Sequence, residues 1–201
     1  MAQPLQFHFD FSSPYGYLAS ERIEALAGRH QRSVEWRPML LGAIFKITGT
    51  QPLTFVPLKG DYTRRDLPRT ARYHGIAFRM PSTFPIPTQA AARLVVWQRG
   101  LDAARCAPLV KALYRAYFVD DRDISDPDVA ASVAAEAGLD RSAARAAVDD
   151  TAIKDALKRD VDAAIAAGVF GSPFVIVDGE PFWGLDRFDQ IERWLETALP
   201  D

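Results

Sequence analysis

The chain has 201 residues, 48% of them hydrophobic and 25% charged, which is typical of a globular protein with a sizeable core. Its formal net charge of −2 argues against the broad basic surface that nucleic acid or an anionic membrane would require. The single cysteine, Cys106, excludes an intramolecular disulfide and a cysteine-based zinc site. His8, His30 and His74 lie far apart without ligand spacing, so no metal site is expected.

Two further features of the sequence bear on the subcellular location of the protein. The first residues contain no basic segment followed by an apolar run, so we expect no secretory signal. No stretch approaches the roughly 18 consecutive apolar residues of a membrane span. The sequence therefore predicts a cytoplasmic protein.

The beginning of the chain predicts a β-α-β unit. Residues 5–11 alternate apolar and polar side chains, which is typical of a strand. Residues 12–14 (Ser-Ser-Pro) then provide an N-cap and a first helical turn, and apolar residues at helical spacing continue to a closing Gly28. Residues 33–37 alternate again, and a helical crossover of this kind makes the two strands parallel.

Helical patterning dominates the middle of the chain, from about residue 40 to residue 165. Two segments rich in proline and glycine, 50–60 and 80–88, predict loops. The predicted helices are Thr88–Arg99, Ala107–Phe118, one starting at Asp126-Pro127, one starting at Asp140, and Thr151–Ala167.

The last part of the chain returns to strands. Residues 174–177 form an apolar β run, Asp178-Gly179 predicts a hairpin turn, and a partner strand begins at Glu180. A terminal helix is expected over Leu185–Leu199. The order β-α-β, helical block, β-β-α predicts an α/β thioredoxin-like fold with an inserted all-helical domain. Residues 1–45 and 166–201 would form the thioredoxin-like domain and residues 46–165 the insertion.

The tetrapeptide Ser13-Pro14-Tyr15-Gly16 lies at the junction of the first strand and helix. Thioredoxin-like oxidoreductases carry reactive cysteines at the first and fourth places, here Ser13 and Gly16, so dithiol–disulfide exchange is impossible at this site. A helix N-terminus favours an anion, and Ser13 can donate a hydrogen bond to the thiolate of a bound thiol. The alternative is that Ser13 is a plain N-cap.

Two further segments are candidates for the same site. In Gly171-Ser172-Pro173, a cis-proline before a strand would offer its preceding backbone groups to an extended peptide such as glutathione. In Trp183–Arg187, Gly184 allows close backbone approach, and Asp186 can bind the ammonium of a γ-glutamyl group. The alternatives are an ordinary turn for the first segment and a helix cap for Asp186.

Five segments in order along the whole chain resemble the 2-hydroxychromene-2-carboxylate isomerases. The kappa-class glutathione transferases share the pattern, and both belong to the wider DsbA-like group. The segments are Phe9-Asp10-Phe11-Ser12-Ser13-Pro14-Tyr15-Gly16-Tyr17-Leu18, Trp36-Arg37-Pro38, Lys59-Gly60-Asp61-Tyr62, Phe170-Gly171-Ser172-Pro173 and Trp183-Gly184-Leu185-Asp186-Arg187.

The resemblance implies glutathione as cofactor, a homodimer, and specific roles for residues. Ser13 matches the family serine at the glutathione sulfur, Asp186 matches the γ-glutamyl contact, and Lys59 matches a lysine near the glycine carboxylate. Leu185 stands where the family has a polar residue, which predicts the loss of one side-chain contact. The implied glutathione-binding residues are Ser13, Lys59, Ser172, Pro173, Trp183, Gly184, Leu185 and Asp186, with Ser13 catalytic.

The resemblance also implies a small aromatic carboxylate as substrate, which requires an apolar slot and one cation. Lys46 is the candidate cation, and Thr50 stands where the family often has an asparagine. The candidate slot residues are Tyr15, Phe45, Phe84 and Pro85. Taken singly, the aromatic residues are better explained by core packing, and Lys46 is better explained by a solvated helix face.

The activity implied is isomerisation of 2-hydroxychromene-2-carboxylate and trans-o-hydroxybenzylidenepyruvate-like acids through transient addition of the glutathione thiolate. A kappa-like glutathione transferase or peroxidase shares the thiolate site and remains an alternative. A third possibility is a thioredoxin-fold binding module without catalysis. Joint presence of Ser13, Lys59 and Asp186 argues against this last alternative.

Overall fold

The computed structural model describes residues 3–197, and its centre is a four-stranded sheet in the order β2-β1-β3-β4. Strand β1 pairs in parallel with β2 and antiparallel with β3, and β3 pairs antiparallel with β4. This order and these directions confirm the predicted thioredoxin-like fold. The strands are Leu5–Phe9 (β1), Val34–Pro38 (β2), Phe174–Val177 (β3) and Glu180–Trp183 (β4).

The prediction of a single helix between β1 and β2 is wrong, because the structure contains two shorter helices there. The hydroxyl of Ser20 donates to the carbonyl of Tyr17 at 2.7 Å, and the first helix ends at this residue. Gly28 lies inside the second helix rather than closing it, and Gln31 turns the chain with a φ of 55°. The two helices are Pro14–Ser20 (α1) and Ile23–Arg29 (α2).

A block of helices connects β2 to β3, as predicted. The predicted starts at Asp126 and Asp140 are confirmed, since each carboxylate accepts hydrogen bonds from N–H groups of the following turn. Across residues 3–197, none of the helices combines the length and apolar character needed to cross a bilayer. The helices are Leu41–Thr48 (α3), Lys59–Tyr73 (α4), Gln89–Leu101 (α5), Cys106–Phe118 (α6), Pro127–Glu136 (α7), Arg141–Asp149 (α8) and Thr151–Ala166 (α9).

The division of the chain into a thioredoxin-like part and an inserted helical part, with boundaries after residues 45 and 165, stays a proposal. Aromatic side chains from both parts pack against each other. Phe11, just after β1, lies 4.8 Å from Tyr114 of α6 between ring centroids, and Tyr17 of α1 lies 5.7 Å from the same ring. These contacts fix the end of β1 and the start of α1 against α6.

The end of the chain follows the prediction closely. Asp178 and Gly179 both have positive φ, 51° and 93°, as a two-residue hairpin turn between β3 and β4 requires. The terminal helix begins as a 3-10 turn, Leu185–Arg187, and continues as α10, Phe188–Thr197. The last two residues of the predicted helix, 198 and 199, lie outside the described residues.

Candidate functional site

Ser13 is the N-cap of α1, as predicted, and its side chain is buried at 5% exposure. Its Oγ accepts a hydrogen bond from the N–H of Gly16 at 3.0 Å, and its hydroxyl donates to the backbone carbonyl of Ser172 at 2.9 Å. The structure therefore brings together the tetrapeptide at the start of α1 and the loop before β3.

The loop before β3 contains a cis peptide bond between Ser172 and Pro173, one of the two possibilities that the sequence left open. The N–H of Asp10 donates to Ser172 Oγ at 3.1 Å, so the loop is fixed to the end of β1. The carbonyl of Pro173 accepts a hydrogen bond from the N–H of Gly184 at 3.1 Å. The third predicted segment therefore joins the same site.

Gly16 occupies the fourth place of the tetrapeptide, and the structure leaves no room for a side chain there. A Cβ at Gly16 would lie 2.7 Å from both Ser172 Oγ and the hydroxyl oxygen of Tyr114. Tyr114 is fully buried and donates its hydroxyl hydrogen to the carbonyl of Asp10 at 2.9 Å. Sequence reasoning missed Tyr114, because nothing local to α6 shows that its side chain reaches the start of α1.

The one cysteine of the chain lies away from this site. Cys106 begins α6 at 1% exposure, and its Sγ lies 3.9 Å from the carbonyl oxygen of Val95. Burial raises the pKa of the Cys106 thiol to about 11, so it is a poor nucleophile at neutral pH. Thiol chemistry at Ser13 therefore requires a thiol from a bound molecule.

The residues predicted to contact the γ-glutamyl group lie at the corner between β4 and α10. Gly184 has a φ of 110°, a conformation that favours glycine, and Trp183 is half-exposed. Asp186 is exposed and lies 3.5 Å from the Arg187 guanidinium, and no side chain caps this 3-10 turn. Leu185 is buried with its side chain in the core, so only its main chain is available for a ligand.

Lys59 is the first residue of α4, and its side chain is exposed. The start of this helix packs tightly on the 3-10 turn Leu53–Phe55. A Cβ at Gly60 would lie only 2.5 Å from the backbone oxygen of Thr54, which explains the glycine after Lys59. Packing of this turn therefore fixes the position of the Lys59 backbone.

Three of the predicted slot residues lie either on α1 or on a loop that contacts the residue before Ser13. Tyr15 is half-buried in α1 and donates its hydroxyl hydrogen to Asp66 of α4 at 2.7 Å, and burial together with Asp66 raises the pKa of this phenol. Phe84 and Pro85 are half-buried and joined by a second cis peptide bond. The next residue in that loop donates its N–H to the Oγ of Ser12 at 3.2 Å, which places the loop against the residue before Ser13.

The other three predicted substrate residues lie on or after α3. Phe45 is half-buried, whereas Lys46 and Thr50 are exposed, and Thr50 Oγ1 lies 2.7 Å from Thr48 Oγ1. The start of α3 is fixed to the end of β1, because the N–H of Leu41 donates to the Asp10 carboxylate at 2.7 Å. The 8 residues of α3 span about 12 Å, so these residues lie toward the end that points away from this contact.

Two surface clefts elsewhere contain none of the predicted site residues. One, of about 510 Å³, lies at the far end of α1 and includes Arg22, His74 and Arg115. The other, of about 310 Å³, includes Arg122 and Arg141. The candidate site is thus defined by the convergence of three segments on Ser13 rather than by a deep pocket.

Comparisons with known proteins agree with this geometry. Residues 4–196 match the family model of the DSBA-like thioredoxin domain. The chain is 31% identical to a 2-hydroxychromene-2-carboxylate isomerase of Sphingobium xenophagum, over 97% of this chain and 99% of that protein. It is 25% identical to glutathione S-transferase kappa 1 of Homo sapiens, over 100% of this chain and 96% of that protein.

The fold likeness extends over the same length. A solved structure of a 2-hydroxychromene-2-carboxylate isomerase aligns with a TM-score of 0.87 at 25% identity, covering 98% of this chain and 96% of that one. This likeness confirms the predicted α/β fold with its helical block. The chain belongs to the DsbA-like thioredoxin family, in the group that contains the 2-hydroxychromene-2-carboxylate isomerases and the kappa-class glutathione transferases.

Proposed function

We propose that this protein is a glutathione-dependent isomerase that interconverts 2-hydroxychromene-2-carboxylate and trans-o-hydroxybenzylidenepyruvate-like aromatic acids. The proposal rests on the hydrogen bond of Ser13 to the Ser172 carbonyl at 2.9 Å, because Ser13 has the place in the tetrapeptide at which thioredoxin-like oxidoreductases carry a reactive cysteine. The names of relatives such as the Sphingobium xenophagum protein, at 31% identity, support this reaction over others.

The residues around Ser13 fit a zwitterionic peptide thiol. Asp186 supplies an exposed carboxylate for the γ-glutamyl ammonium, and Lys59 supplies an exposed ammonium for the terminal carboxylate. The backbone groups of Ser172 are suited to pair with the main chain of an extended peptide. The donor set therefore matches the two charged ends and the extended centre of glutathione.

Glutathione, when bound, would supply a thiolate for reversible addition to the conjugated double bond of the ring-opened acid, which would allow rotation about that bond. Ser13 stabilises that thiolate by turning its hydroxyl from the Ser172 carbonyl toward the sulfur. The released carbonyl is then free to accept an N–H from the peptide main chain. Tyr15, Phe84 and Pro85 form the apolar side of the substrate slot, and Phe45 and Lys46 of α3 contribute together with Thr50, which follows α3.

A kappa-like glutathione transferase is the second candidate, favoured by the 25% identity to the human kappa-class protein. The decisive experiment offers the protein glutathione with 2-hydroxychromene-2-carboxylate in one assay and with 1-chloro-2,4-dinitrobenzene in another. Glutathione-dependent conversion of the first compound without net consumption of thiol supports the isomerase. Conjugation of the second compound alone supports the transferase, and no binding of glutathione supports a non-catalytic module.

We also propose that the protein is a cytoplasmic homodimer, as its resemblance implies. Exposed apolar side chains support a subunit contact near the site, because Leu53, Phe55 and Leu58 are 45%, 55% and 87% exposed just before α4. Light scattering on the purified protein tests this directly. A mass near twice 22.3 kDa supports the dimer, and a mass near 22.3 kDa contradicts it.

A further inference from the structure

Asp10 follows β1 directly, and its carboxylate is buried at 3% exposure. One oxygen, Oδ1, accepts hydrogen bonds from the N–H of Ser12 at 2.7 Å and from the hydroxyl of Thr88 at 3.2 Å. The other, Oδ2, accepts the N–H of Leu41 at 2.7 Å. Burial raises the pKa of this carboxyl, and these donors oppose the rise. The carboxylate thus joins three segments that are distant in sequence.

The main chain of Asp10 contacts the candidate site itself. Its carbonyl accepts hydrogen bonds from the N–H of Ser13 at 2.8 Å and from the hydroxyl of Tyr114 at 2.9 Å. Its N–H donates to Ser172 Oγ at 3.1 Å. Asp10 is therefore bonded to both partners of the Ser13–Ser172 contact, although its carboxylate is directed away toward Leu41 and Thr88.

We propose that Asp10 is a positioning residue that fixes Ser13 and the Ser172 loop relative to each other. Its carboxylate joins the β1, α3 and α5 segments. This role rests on the proposed function of the site. It assigns Asp10 no contact with glutathione or substrate. Its effect on the sulfur is indirect, because it positions Ser13 and the N–H of Gly16, which donates a hydrogen bond to Ser13 Oγ.

A purely electrostatic role for Asp10 predicts an opposite result. If the carboxylate acted only by its charge, its removal would make a nearby thiolate more stable and would lower the pKa of the thiol. If it acts by positioning, its removal loosens the groups that stabilise the thiolate and raises that pKa. Asparagine preserves the size of the side chain, but its NH₂ must face the N–H of either Ser12 or Leu41. Asp10→Asn therefore loses the hydrogen bond from one of these two N–H groups.

The experiment places a thiol in the protein itself, so it does not depend on glutathione. Ser13→Cys is made in a Cys106→Ala background, and the pKa of the introduced thiol is measured from thiolate absorbance at 240 nm. The measurement is repeated with Asp10→Asn, with Thr88→Val, which removes one donor without changing charge, and with Thr88→Ser, which keeps the hydroxyl. A melting curve of each variant confirms that the protein is folded.

We expect the thiol pKa to rise by about one unit with Asp10→Asn and by less with Thr88→Val. With Thr88→Ser, which keeps the hydroxyl, the thiol pKa should stay at its starting value. If Asp10→Asn does not fold, the Thr88 pair decides alone. A thiol pKa that is lowered by Asp10→Asn, or one that Thr88→Val leaves unchanged, overturns the proposal. Because no glutathione is present, failure of the proposed isomerase activity would leave this result standing.

Discussion

The hydroxyl of Ser13 donates to the backbone carbonyl of Ser172 at 2.9 Å, although the two residues are 159 positions apart. This contact joins the start of α1 to the loop before β3. The carbonyl that strand addition would use accepts a hydrogen bond from the side chain that is proposed to stabilise the thiolate. Binding of glutathione and activation of its sulfur are therefore expected to be coupled through one hydrogen bond.

Ser13→Ala tests the role of that hydroxyl. The variant removes one hydrogen bond to the thiolate, which costs roughly 1.5–3 kcal/mol, so we expect a loss of about 10- to 100-fold in turnover. On the proposed binding geometry other residues hold most of the tripeptide, so binding of glutathione measured by calorimetry should persist. The pKa of bound glutathione, measured from thiolate absorbance, should rise. Unchanged pKa and turnover would show that Ser13 is only a helix cap.

Gly16→Ala tests how tightly the site is packed. The added methyl group would meet Ser172 Oγ and the hydroxyl of Tyr114 at 2.7 Å, so we expect a loss of about 1–3 kcal/mol in the free energy of unfolding, together with reduced activity. The matched control is Gly100→Ala in α5, where the new Cβ would have no neighbour within 4 Å apart from the adjacent residues and backbone of its own helix. That variant should be unchanged or stabilised by up to about 1 kcal/mol. Denaturant titration of both variants makes the comparison, and equal stability would contradict the packing argument.

The sequence predicted the sheet and most helix starts because their signals are local. The alternation in β1, the Asp126 and Asp140 caps and the Asp178-Gly179 turn each act within a few residues of chain. The break between α1 and α2 was missed, because the apolar spacing continues across the residues at which α1 ends and α2 begins.

The candidate site was predicted in part for the same reason. Ser13, Ser172 and Gly184 were found as segments that resemble a family, and the structure joins them by hydrogen bonds. The contributions of Tyr114 and of the Asp10 carboxylate depend on contacts between segments far apart in the chain. No periodicity or local motif carries such information.

Asp186→Asn tests the proposed γ-glutamyl contact. Loss of a charge-assisted contact should weaken glutathione by about 5- to 150-fold, with little effect on cysteinylglycine, which lacks the γ-glutamyl group. The folded protein should lose little stability, because the Asp186 carboxylate is exposed and its salt bridge within residues 3–197 is the one to Arg187 at 3.5 Å. Asp189→Asn, an exposed change in the first turn of α10, is the control. Calorimetry with both ligands decides, and equal losses for both would remove Asp186 from the site.

The buried imidazole of His8 should make the free energy of unfolding depend on pH. Burial at 3% exposure, and then the charge of Arg37, lowers the pKa of this imidazole from 6.5 to about 4. Between these values the unfolded chain binds a proton that the folded protein does not, so stability falls as the pH decreases through this window. The loss amounts to about 3 kcal/mol at pH 4. His8→Gln should flatten the curve of unfolding free energy against pH by this amount, and an unchanged slope would contradict the prediction.

The measurement that tests the central claim most directly is the dependence of turnover on the thiol of glutathione. Cys106→Ala protein, which has no thiol of its own, is given 2-hydroxychromene-2-carboxylate with glutathione or with S-methylglutathione, and the change in absorbance of the aromatic acid is followed. The account predicts a rate that saturates with glutathione and remains at the uncatalysed level with S-methylglutathione. A rate that is the same with both compounds, or a complete loss of activity in folded Cys106→Ala protein, would contradict it.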